Sequence, residues 1–369
     1  MNLTRFITTP LLLLFSVTAL LCRGQSVTKK TENVIVITLD GFRWQELFLG
    51  AERRLISGPE AKLDTGMLLT KFWSDDPIER RKKLLPFLWN DFIPEGQAFG
   101  NRKVGNEVSV ANNQWFSYPG YNEMFCGFAD DNRINSNDAR YNPNVSVLEF
   151  LNQSENFRGR VSAFTSWEVF PWILNAPRSG ILVNSGYAPL PEPNTGAIQR
   201  LNQLSANLPR DGNTRPDALT FYYALEYLKS HKPRVLYISF DETDHFAHSG
   251  NYGQYLLAAN RTDAMIHELW ATLNQMPEYH NKTTVILTTD HGRGNREETD
   301  WRHHGRKMVG SNEIWMLING PDMKKIGEVR QRGQHLQAHL AQTIASVLGL
   351  NFINGQKSPA PLIGYPSDH

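Results

Sequence analysis

Three apolar segments of this chain run directly into acidic and histidine residues. The first ends at Asp40, the second runs into Asp244 and His248, and the third runs into Asp290 and His291. Segments of this length, rich in β-branched residues, are typical of buried strands. In open α/β sheets, ligands bind at the carboxyl ends of the strands, so these side chains are expected to share one site. Aspartate and histidine supply the oxygen and nitrogen ligands that zinc accepts.

The spacing of these residues supports a metal site. Asp244 and His248 are four residues apart, so on one turn of helix both side chains can reach the same ion. A glycine follows His291 and permits a tight turn beside the ligands, and His304 also precedes a glycine. The candidate ligands are too many for one tetrahedral ion and enough for two if another side chain is shared. They are Asp40, Asp244, His248, Asp290, His291 and His304.

The segment around Ser117 offers the shared side chain and a nucleophile. Ser117 precedes a Pro-Gly pair, and a helix-like stretch follows at 121–128. A helix that begins just after a serine places free backbone N–H groups and the positive end of the helix dipole near the attacking oxygen. A serine hydroxyl is a poor nucleophile until it loses its proton, and coordination to a metal is one means of activation.

An α/β fold must position these residues, with a mainly parallel central sheet and helices on both faces. Nearly all-apolar segments alternate with helical patterns, as in sheets that are covered on both sides. The predicted strands are 33–39, 161–165, 180–184, 234–240, 284–289 and 313–318. The predicted helices are 77–92, kinked at Pro86, then 145–152, 215–230, 255–276 and 334–348. Two regions, near 58–106 and 185–215, interrupt this alternation and are predicted to be cap-like insertions.

The first 24 residues are predicted to be a secretory signal peptide, which leaves 25–369 as a single domain. Arg5 precedes an apolar run at 10–21, and small or polar residues follow near Gly24. The run is shorter than the roughly 20 apolar residues of a membrane-spanning helix, so none is expected. Lipid anchoring at Cys22 is less favoured because Leu21 precedes it. We expect export to the periplasm or secretion from the cell.

Length, net charge and cysteine content further limit the folds and functions that are possible for the chain. A chain of 369 residues can bury one large core. Its net charge of +1 argues against binding of nucleic-acid duplexes, which requires an excess of basic residues. If cleavage removes Cys22, only Cys126 remains and no internal disulfide can form.

In the order of its motifs, the chain resembles the alkaline phosphatase superfamily, and especially its type I phosphodiesterase/nucleotide pyrophosphatase-like branch. The resemblance covers nearly the whole mature chain. Asp40 matches the first metal ligand of the family, and Ser117 matches its Thr or Ser nucleophile. The remaining matches are to the family's D-x-x-x-H, D-H-G and final H-G motifs, at Asp244 and His248, Asp290-His291-Gly292, and His304-Gly305.

The resemblance implies two zinc ions and a ligand set for each. One set is Asp40, Ser117, Asp290 and His291, and the other is Asp244, His248 and His304. Asp241 and His245 have the same four-residue spacing, but the family order favours Asp244 and His248. His304 is preferred to His303 because it precedes a glycine.

By the same resemblance, the protein is expected to be an exported two-zinc hydrolase of a small-molecule phosphoester, such as a nucleotide. Ser117 would attack the phosphorus and form a covalent phosphoserine. Asn137 matches the asparagine that donates to the phosphate oxygens in this branch, and Asn135 is the next nearest. Arg302, like Arg43 and Arg293, lies next to motif residues and is a candidate for binding phosphate.

Several alternatives stay open. Phosphodiester or nucleotide-pyrophosphate cleavage is favoured, while phosphomonoester hydrolysis and phosphotransfer use the same chemistry. A sulfatase is less favoured because Tyr121 stands where that motif has arginine, and because histidine ligands favour zinc over calcium. A catalytically silent metal-binding protein is the alternative from a different class.

Overall fold

The computed structural model describes residues 30–191, 195–210, 212–354 and 359–362. The predicted signal peptide, with Cys22, lies outside the described residues. The strands in chain order are β1 (Asn33–Leu39), β2 (Gln97–Phe99), β3 (Asn106–Ser109), β4 (Val161–Thr165), β5 (Leu182–Ser185), β6 (Val235–Phe240), β7 (Thr283–Thr288), β8 (Glu313–Ile314), β9 (Met316–Asn319), β10 (Gly327–Glu328) and β11 (Gly333–Leu336).

The α-helices follow in the same way. They are α1 (Trp44–Leu49), α2 (Arg53–Ser57), α3 (Thr65–Phe72), α4 (Pro77–Leu84), α5 (Ser117–Cys126), α6 (Val147–Gln153), α7 (Phe170–Ile173), α8 (Ala176–Ser179), α9 (Gly196–Asn207), α10 (Asp217–His231), α11 (Glu242–His248), α12 (Tyr252–Gln275) and α13 (His339–Val347). Short 3-10 turns lie at Arg102–Val104 and Asp300–Arg302, and a π-helical turn lies at Leu88–Phe92. No helix in these described ranges is long and apolar enough to cross a membrane.

Eight strands form the central sheet, in the order β10-β2-β9-β7-β1-β6-β4-β5. The neighbours from β7 to β5 are all parallel, whereas β9 is antiparallel to both β7 and β2. The strands β11, β3 and β8 form a separate small sheet. The predicted class, an α/β fold with a mainly parallel central sheet, is confirmed.

Strand β1 lies in the middle of this sheet and is buried along its whole length. Ile35 and Ile37 point into one apolar core, which includes side chains of α10 and α12. Val34 and Val36 point into a second core with α5, α6 and α13. Both faces of the sheet are therefore covered, which explains why residues 34–37 of β1 are all apolar instead of alternating.

Several predicted elements have different bounds in the structure. The helix predicted at 77–92 ends at Leu84, and a π-helical turn follows, because Pro86 lacks an N–H and restricts the residue before it. The helix predicted at 334–348 begins only at His339, since 333–336 form β11. The strand predicted at 313–318 is divided between two sheets, as β8 and β9. Within the region predicted as the first insertion, β2 joins the central sheet.

Candidate active site

The site lies where three neighbouring parallel strands end. Asp40 follows β1, Asp290 and His291 come just after β7, and α11 begins just after β6. Because β1 is paired with both β6 and β7, the residues that follow these strands meet at one edge of the sheet. The three acidic and histidine segments of the sequence therefore converge, as predicted from their positions at strand ends.

The first group of candidate ligands is Asp40, Asp290 and His291, whose ligand atoms all lie within 4.8 Å of one another. His291 Nε2 is 3.4 Å from Asp40 Oδ1 and 3.4 Å from Asp290 Oδ2. Ser117 Oγ is also 3.4 Å from His291 Nε2. The structure thus brings together all four residues predicted for one of the two metal ions.

The second group is built around Asp244. Its ligand atom lies within 4.8 Å of those of His291 and His304. His248 Nε2 is 3.3 Å from Asp244 Oδ2 and 2.9 Å from His304 Nε2. The three residues predicted for the other ion therefore also meet, and the imidazole of His291 lies between the two groups.

The histidines present the ring nitrogen that a metal needs. The Nδ1 of His291 lies 2.9 Å from the backbone oxygen of Gly292, so Nδ1 donates its hydrogen there and Nε2 keeps its lone pair for the site. His304 Nδ1 lies 3.4 Å from the backbone oxygen of Trp115 and leaves Nε2 in the same state. Burial lowers the pKa of His291 to about 4 and that of His304 well below its usual value, so both rings are neutral at pH 7.

The carboxylates of the first group fit a cation. Asp40 Oδ1 and Asp290 Oδ2 are buried, and neither has a hydrogen-bond partner within the described part of the chain. Burial, and then repulsion from Asp290, raises the pKa of Asp40 well above its usual value. Burial raises the pKa of Asp290 to about 7. Unpartnered buried carboxylates are costly, and a bound metal ion would offset that cost. With neutral imidazoles beside them, the donor set suits zinc.

Arg293 completes the second group, in a role that the sequence did not indicate. Its side chain is buried, its Nε donates to the Gly41 carbonyl over 3.0 Å, and one Nη contacts Asp244 Oδ1. Burial alone would raise the pKa of Asp244, but Arg293, with His248 and His304, holds it well below its usual value. Gly41 has a φ of +57°, and a Cβ there would lie 2.7 Å from the Arg293 guanidinium. The one signal in the sequence was that Arg293 directly follows the D-H-G motif.

Two residues of α5 support the first group. The buried Tyr121 hydroxyl donates to Asp40 Oδ2 over 2.9 Å, an interaction that sequence reasoning missed. Gly120 lets the helix approach closely, since a Cβ there would lie 2.4 Å from the Asp290 carbonyl oxygen. Ser117 is the first residue of α5, so the helix N-terminus faces the metal-ligand groups.

The predicted substrate-binding residues lie in different places. Asn137 Oδ1 accepts a hydrogen bond from the Tyr118 backbone N–H over 3.0 Å, so Asn137 lies close to Ser117, the residue before Tyr118. Asn135 is exposed, and its amide donates to the Asn132 carbonyl over 3.5 Å. Arg302 Nε donates to Glu60 over 2.7 Å, in an ion pair with that buried carboxylate. Only Asn137 of these three lines the cleft that contains Ser117.

That cleft has a volume of about 380 Å³. It is lined by Ser117 and the candidate ligands Asp244, His248 and His304, and also by Asp241 and His245. Its lining further includes Trp167, Asn213 and Thr214, the last two from the second predicted insertion. Of the three aromatic residues near 170, Phe170 is fully buried and Trp172 stacks against Tyr141 at a ring-centroid distance of 6.2 Å. Trp167 alone among these three lines the cleft.

Several solved structures share this fold. The lipoteichoic acid synthase LtaP from Listeria monocytogenes has a TM-score of 0.57 and 12% identity, with 88% of this chain and 74% of that chain covered. The alkaline phosphatase PafA also has a TM-score of 0.57 and 12% identity, covering 91% of this chain and 99% of that one. The phosphonate monoester hydrolase SpPMH from Silicibacter pomeroyi has a TM-score of 0.55 and 14% identity, with coverages of 92% and 78%. At such identities the likeness shows the fold alone.

Sequence comparison gives the family. No curated protein matches the chain significantly. The family described as type I phosphodiesterase / nucleotide pyrophosphatase matches residues 77–347, a range that contains the nucleophile candidate and all the predicted metal ligands except Asp40. The match covers more than half of the sequence, and the fold and the order of the site residues agree with it. The chain therefore belongs to the type I phosphodiesterase / nucleotide pyrophosphatase family.

Proposed function

We propose that this protein is an exported two-zinc phosphodiesterase that acts on small phosphodiesters or nucleotide pyrophosphates through a covalent phosphoserine. The observation that carries the proposal is the position of Ser117. Its Oγ lies 3.4 Å from Nε2 of His291, the residue shared by the two groups of candidate metal ligands, and Ser117 lines the cleft. The proposed ligand sets are Asp40, Ser117, Asp290 and His291 for one ion, and Asp244, His248 and His304 for the other.

Ser117 is the nucleophile in this mechanism. Its hydroxyl loses a proton to solvent and its oxygen forms a bond to phosphorus, while the bond from phosphorus to the leaving oxygen breaks. The leaving oxygen takes a proton from solvent, and a water then hydrolyses the phosphoserine and restores the hydroxyl. When bound, zinc would supply positive charge that lowers the pKa of the attacking hydroxyl and offsets the charge of the transferred group. The N-terminus of α5 adds backbone N–H groups that favour negative charge at Ser117.

Asn137 is the proposed donor to the phosphate. Its Oδ1 is occupied by the Tyr118 N–H, which leaves the side-chain NH₂ as the donor for a non-bridging phosphate oxygen in the cleft. Asn135 and Arg302 stay candidates for contact with outlying parts of a substrate.

The charge of the cleft supports a diester over a monoester. A phosphate diester carries one negative charge at neutral pH, and a phosphate monoester carries nearly two. Among the described residues that line the cleft there is no lysine or arginine. Two of the arginines predicted as phosphate candidates are engaged by carboxylates, since Arg302 is paired with Glu60 and Arg293 contacts Asp244. A monoester dianion would therefore lack a side-chain cation beyond the metal ions.

The test compares p-nitrophenyl phosphate with bis-p-nitrophenyl phosphate on the zinc-loaded enzyme. We expect a higher kcat/KM for the diester, and a loss of at least about 10³-fold in Ser117→Ala with its zinc content kept. Ser249→Ala is the matched control, because Ser249 lines the same cleft outside the ligand groups, and its activity should stay within about twofold of wild type. Rapid acid quenching with labelled substrate should trap phosphoserine. A dominant monoester rate would favour a phosphatase, and activity without Ser117 would exclude the covalent mechanism.

A further inference from the structure

A second cavity of about 500 Å³ lies beside α1 and the start of α2. None of the residues that line it also lines the catalytic cleft. The cavity is nevertheless close to the site in sequence, since Arg43 and Gly294 in its wall each come three residues after a candidate metal ligand. Its volume lies in the range of sites for small organic ligands, roughly 300–1,000 Å³.

The acidic side chains in this cavity are largely engaged by neighbours. Glu46 forms a buried ion pair with Arg43, and it also accepts a hydrogen bond from Tyr252 over 2.8 Å. Glu52 contacts Arg43 over 3.0 Å and Arg54 over 3.2 Å. These two carboxylates are therefore neutralised by two of the arginines in the wall.

Three cations in the wall have no such partner. Arg53, Arg80 and Lys103 line the cavity, and within the described ranges no carboxylate forms an ion pair with any of them. The one further acidic side chain in the wall is Glu297, which is exposed. The cavity consequently presents an excess of positive charge, in contrast to the catalytic cleft.

Arg80 is held in place and is partly buried. Its Nε donates to the Leu49 carbonyl over 2.8 Å and its Nη1 to the Ser74 carbonyl over 2.8 Å, which fixes the guanidinium. Burial lowers the pKa of Arg80, and Tyr252, Asp75 and Asp76 offset this only in part. A bound anion would add to that offset.

The wall also contains apolar side chains. The guanidinium groups of two of its arginines lie over the indole ring of Trp73, with their carbons 4.4 Å (Arg80) and 5.1 Å (Arg53) from the ring centroid. Leu49 adds apolar surface on the same wall. An aromatic ring that lay against this wall would place an attached anionic group among the cations.

We propose that this cavity is a second ligand site, separate from the catalytic cleft, that binds a small aromatic anion carrying a sulfonate, sulfate or phosphate group. The anionic group would contact Arg53, Arg80 and Lys103, and the ring would pack on Leu49 and on the part of Trp73 that the two guanidinium groups leave exposed. The proposal does not depend on the phosphodiesterase activity, because no residue of the catalytic cleft takes part.

The test uses 1-naphthalenesulfonate, a flat anion whose carbon–sulfur bond an ester hydrolase does not cleave. Isothermal titration of the zinc-loaded protein at low salt should show binding at one site. The neutral analogue 1-naphthalenemethanol should bind at least tenfold more weakly. Ser117→Ala should bind the sulfonate as wild type does, since it leaves the second cavity intact.

The double variant Arg53→Gln, Lys103→Gln should weaken binding by at least tenfold, and folding should be kept because both side chains are exposed. Its matched control is Arg158→Gln, Lys229→Gln, which removes two exposed charges that do not line the cavity. An equal loss in both double variants would reduce the effect to general charge attraction and overturn the proposal. So would wild-type affinity in the first double variant, or no binding to the wild-type protein.

Discussion

At the scale of single residues, Asp244 is held from two sides. Its Oδ2 lies 3.3 Å from His248 Nε2, whereas its Oδ1 contacts the buried guanidinium of Arg293. Arg293 is itself fixed by the carbonyls of Gly41 and Arg302, each at 3.0 Å. The arginine therefore sets the orientation of the carboxylate and leaves Oδ2 directed toward the histidine with which it would share a metal ion.

We predict that Arg293→Lys lowers zinc affinity by about 10- to 100-fold, the usual effect of losing a partner that orients a metal ligand. Lysine keeps the charge, but it cannot make the three contacts of the planar guanidinium. Competition with a chromophoric chelator measures the affinity. Arg302→Lys is the control, because Arg302 pairs with Glu60 and not with a ligand, so zinc affinity should be unchanged. Equal affinities in wild type and Arg293→Lys would remove the positioning role.

Tyr121 supports Asp40 in a similar way. We predict that Tyr121→Phe lowers zinc affinity by about tenfold, since the hydroxyl donates to Asp40 Oδ2 over 2.9 Å. The fold should be kept, because the ring still packs on Phe170 at a centroid distance of 4.7 Å. Tyr118→Phe is the matched control on the same helix, as its hydroxyl donates to the Arg140 carbonyl. A larger effect in the control would show that the hydroxyl of Tyr121 is not the important group.

At the scale of elements, Asp263 joins α12 to the broken helix around Pro86. Its carboxylate accepts hydrogen bonds from the backbone N–H groups of Phe87 and Leu88, both over 2.9 Å. These are N–H groups at the start of the π-helical turn, where helices have no internal partners for their first donors. A side chain from a distant helix thus caps the segment that follows α4.

We predict that Asp263→Ala lowers the free energy of unfolding by about 1–3 kcal/mol, because two buried N–H groups lose their acceptor. Chemical denaturation followed by circular dichroism measures the change. Asp91→Ala is the control, since Asp91 is exposed on the π-helical turn itself and should change stability by less than about 0.5 kcal/mol. A cost for Asp263→Ala no greater than for the control would mean that other groups satisfy these donors.

The elements also show what sequence could predict. The strands β1, β6 and β7 were predictable because they are six or seven residues long and rich in apolar and β-branched residues. The strands β2, β3, β10 and β11 are two to four residues long, too short for a pattern to distinguish them from loops. Their pairing comes from the tertiary fold, as β11 shows, since residues of that strand were predicted to be helical.

The same limit applies to the site. The candidate ligands could be predicted because they follow recognisable strands at set spacings, whereas their division into two groups came from the family resemblance. The contact between Arg293 and Asp244 could not be predicted, because the two residues lie far apart in sequence. The contact exists only after α11 has folded against β1. Arg302 was predicted to bind phosphate only because it lies next to a motif residue. Its ion pair with Glu60 could not be predicted from the sequence.

At the scale of the whole molecule, the candidate site lies at the edge of the sheet that separates the two apolar cores. The side chains of β1 divide between the two apolar cores, and the residue after it, Asp40, belongs to the first group of candidate ligands. Asp40 and Asp290 therefore place two buried carboxyl groups, both with raised pKa values, at this edge of the sheet. We therefore expect the free energy of unfolding to depend on metal binding, because a bound cation would offset the cost of burying these carboxyl groups.

We predict that removal of zinc by a chelator lowers the melting temperature by several degrees, and that zinc restores it. At a free zinc concentration of 1,000 times Kd, one ion that binds only the folded state adds about 4 kcal/mol to the free energy of unfolding.

The variant Asp290→Asn separates the loss of a metal ligand from the loss of a buried carboxyl group. It removes one of the buried charges, and its amide oxygen can still accept the Gly41 N–H that Asp290 Oδ1 accepts over 3.0 Å. With zinc it should be less stable than wild type, because it has lost a ligand. Without zinc it should be more stable, because one buried negative charge is gone. Calorimetry of both proteins with and without chelator measures this reversal, and the same order of stability in both conditions would mean that the buried carboxylates do not carry the linkage.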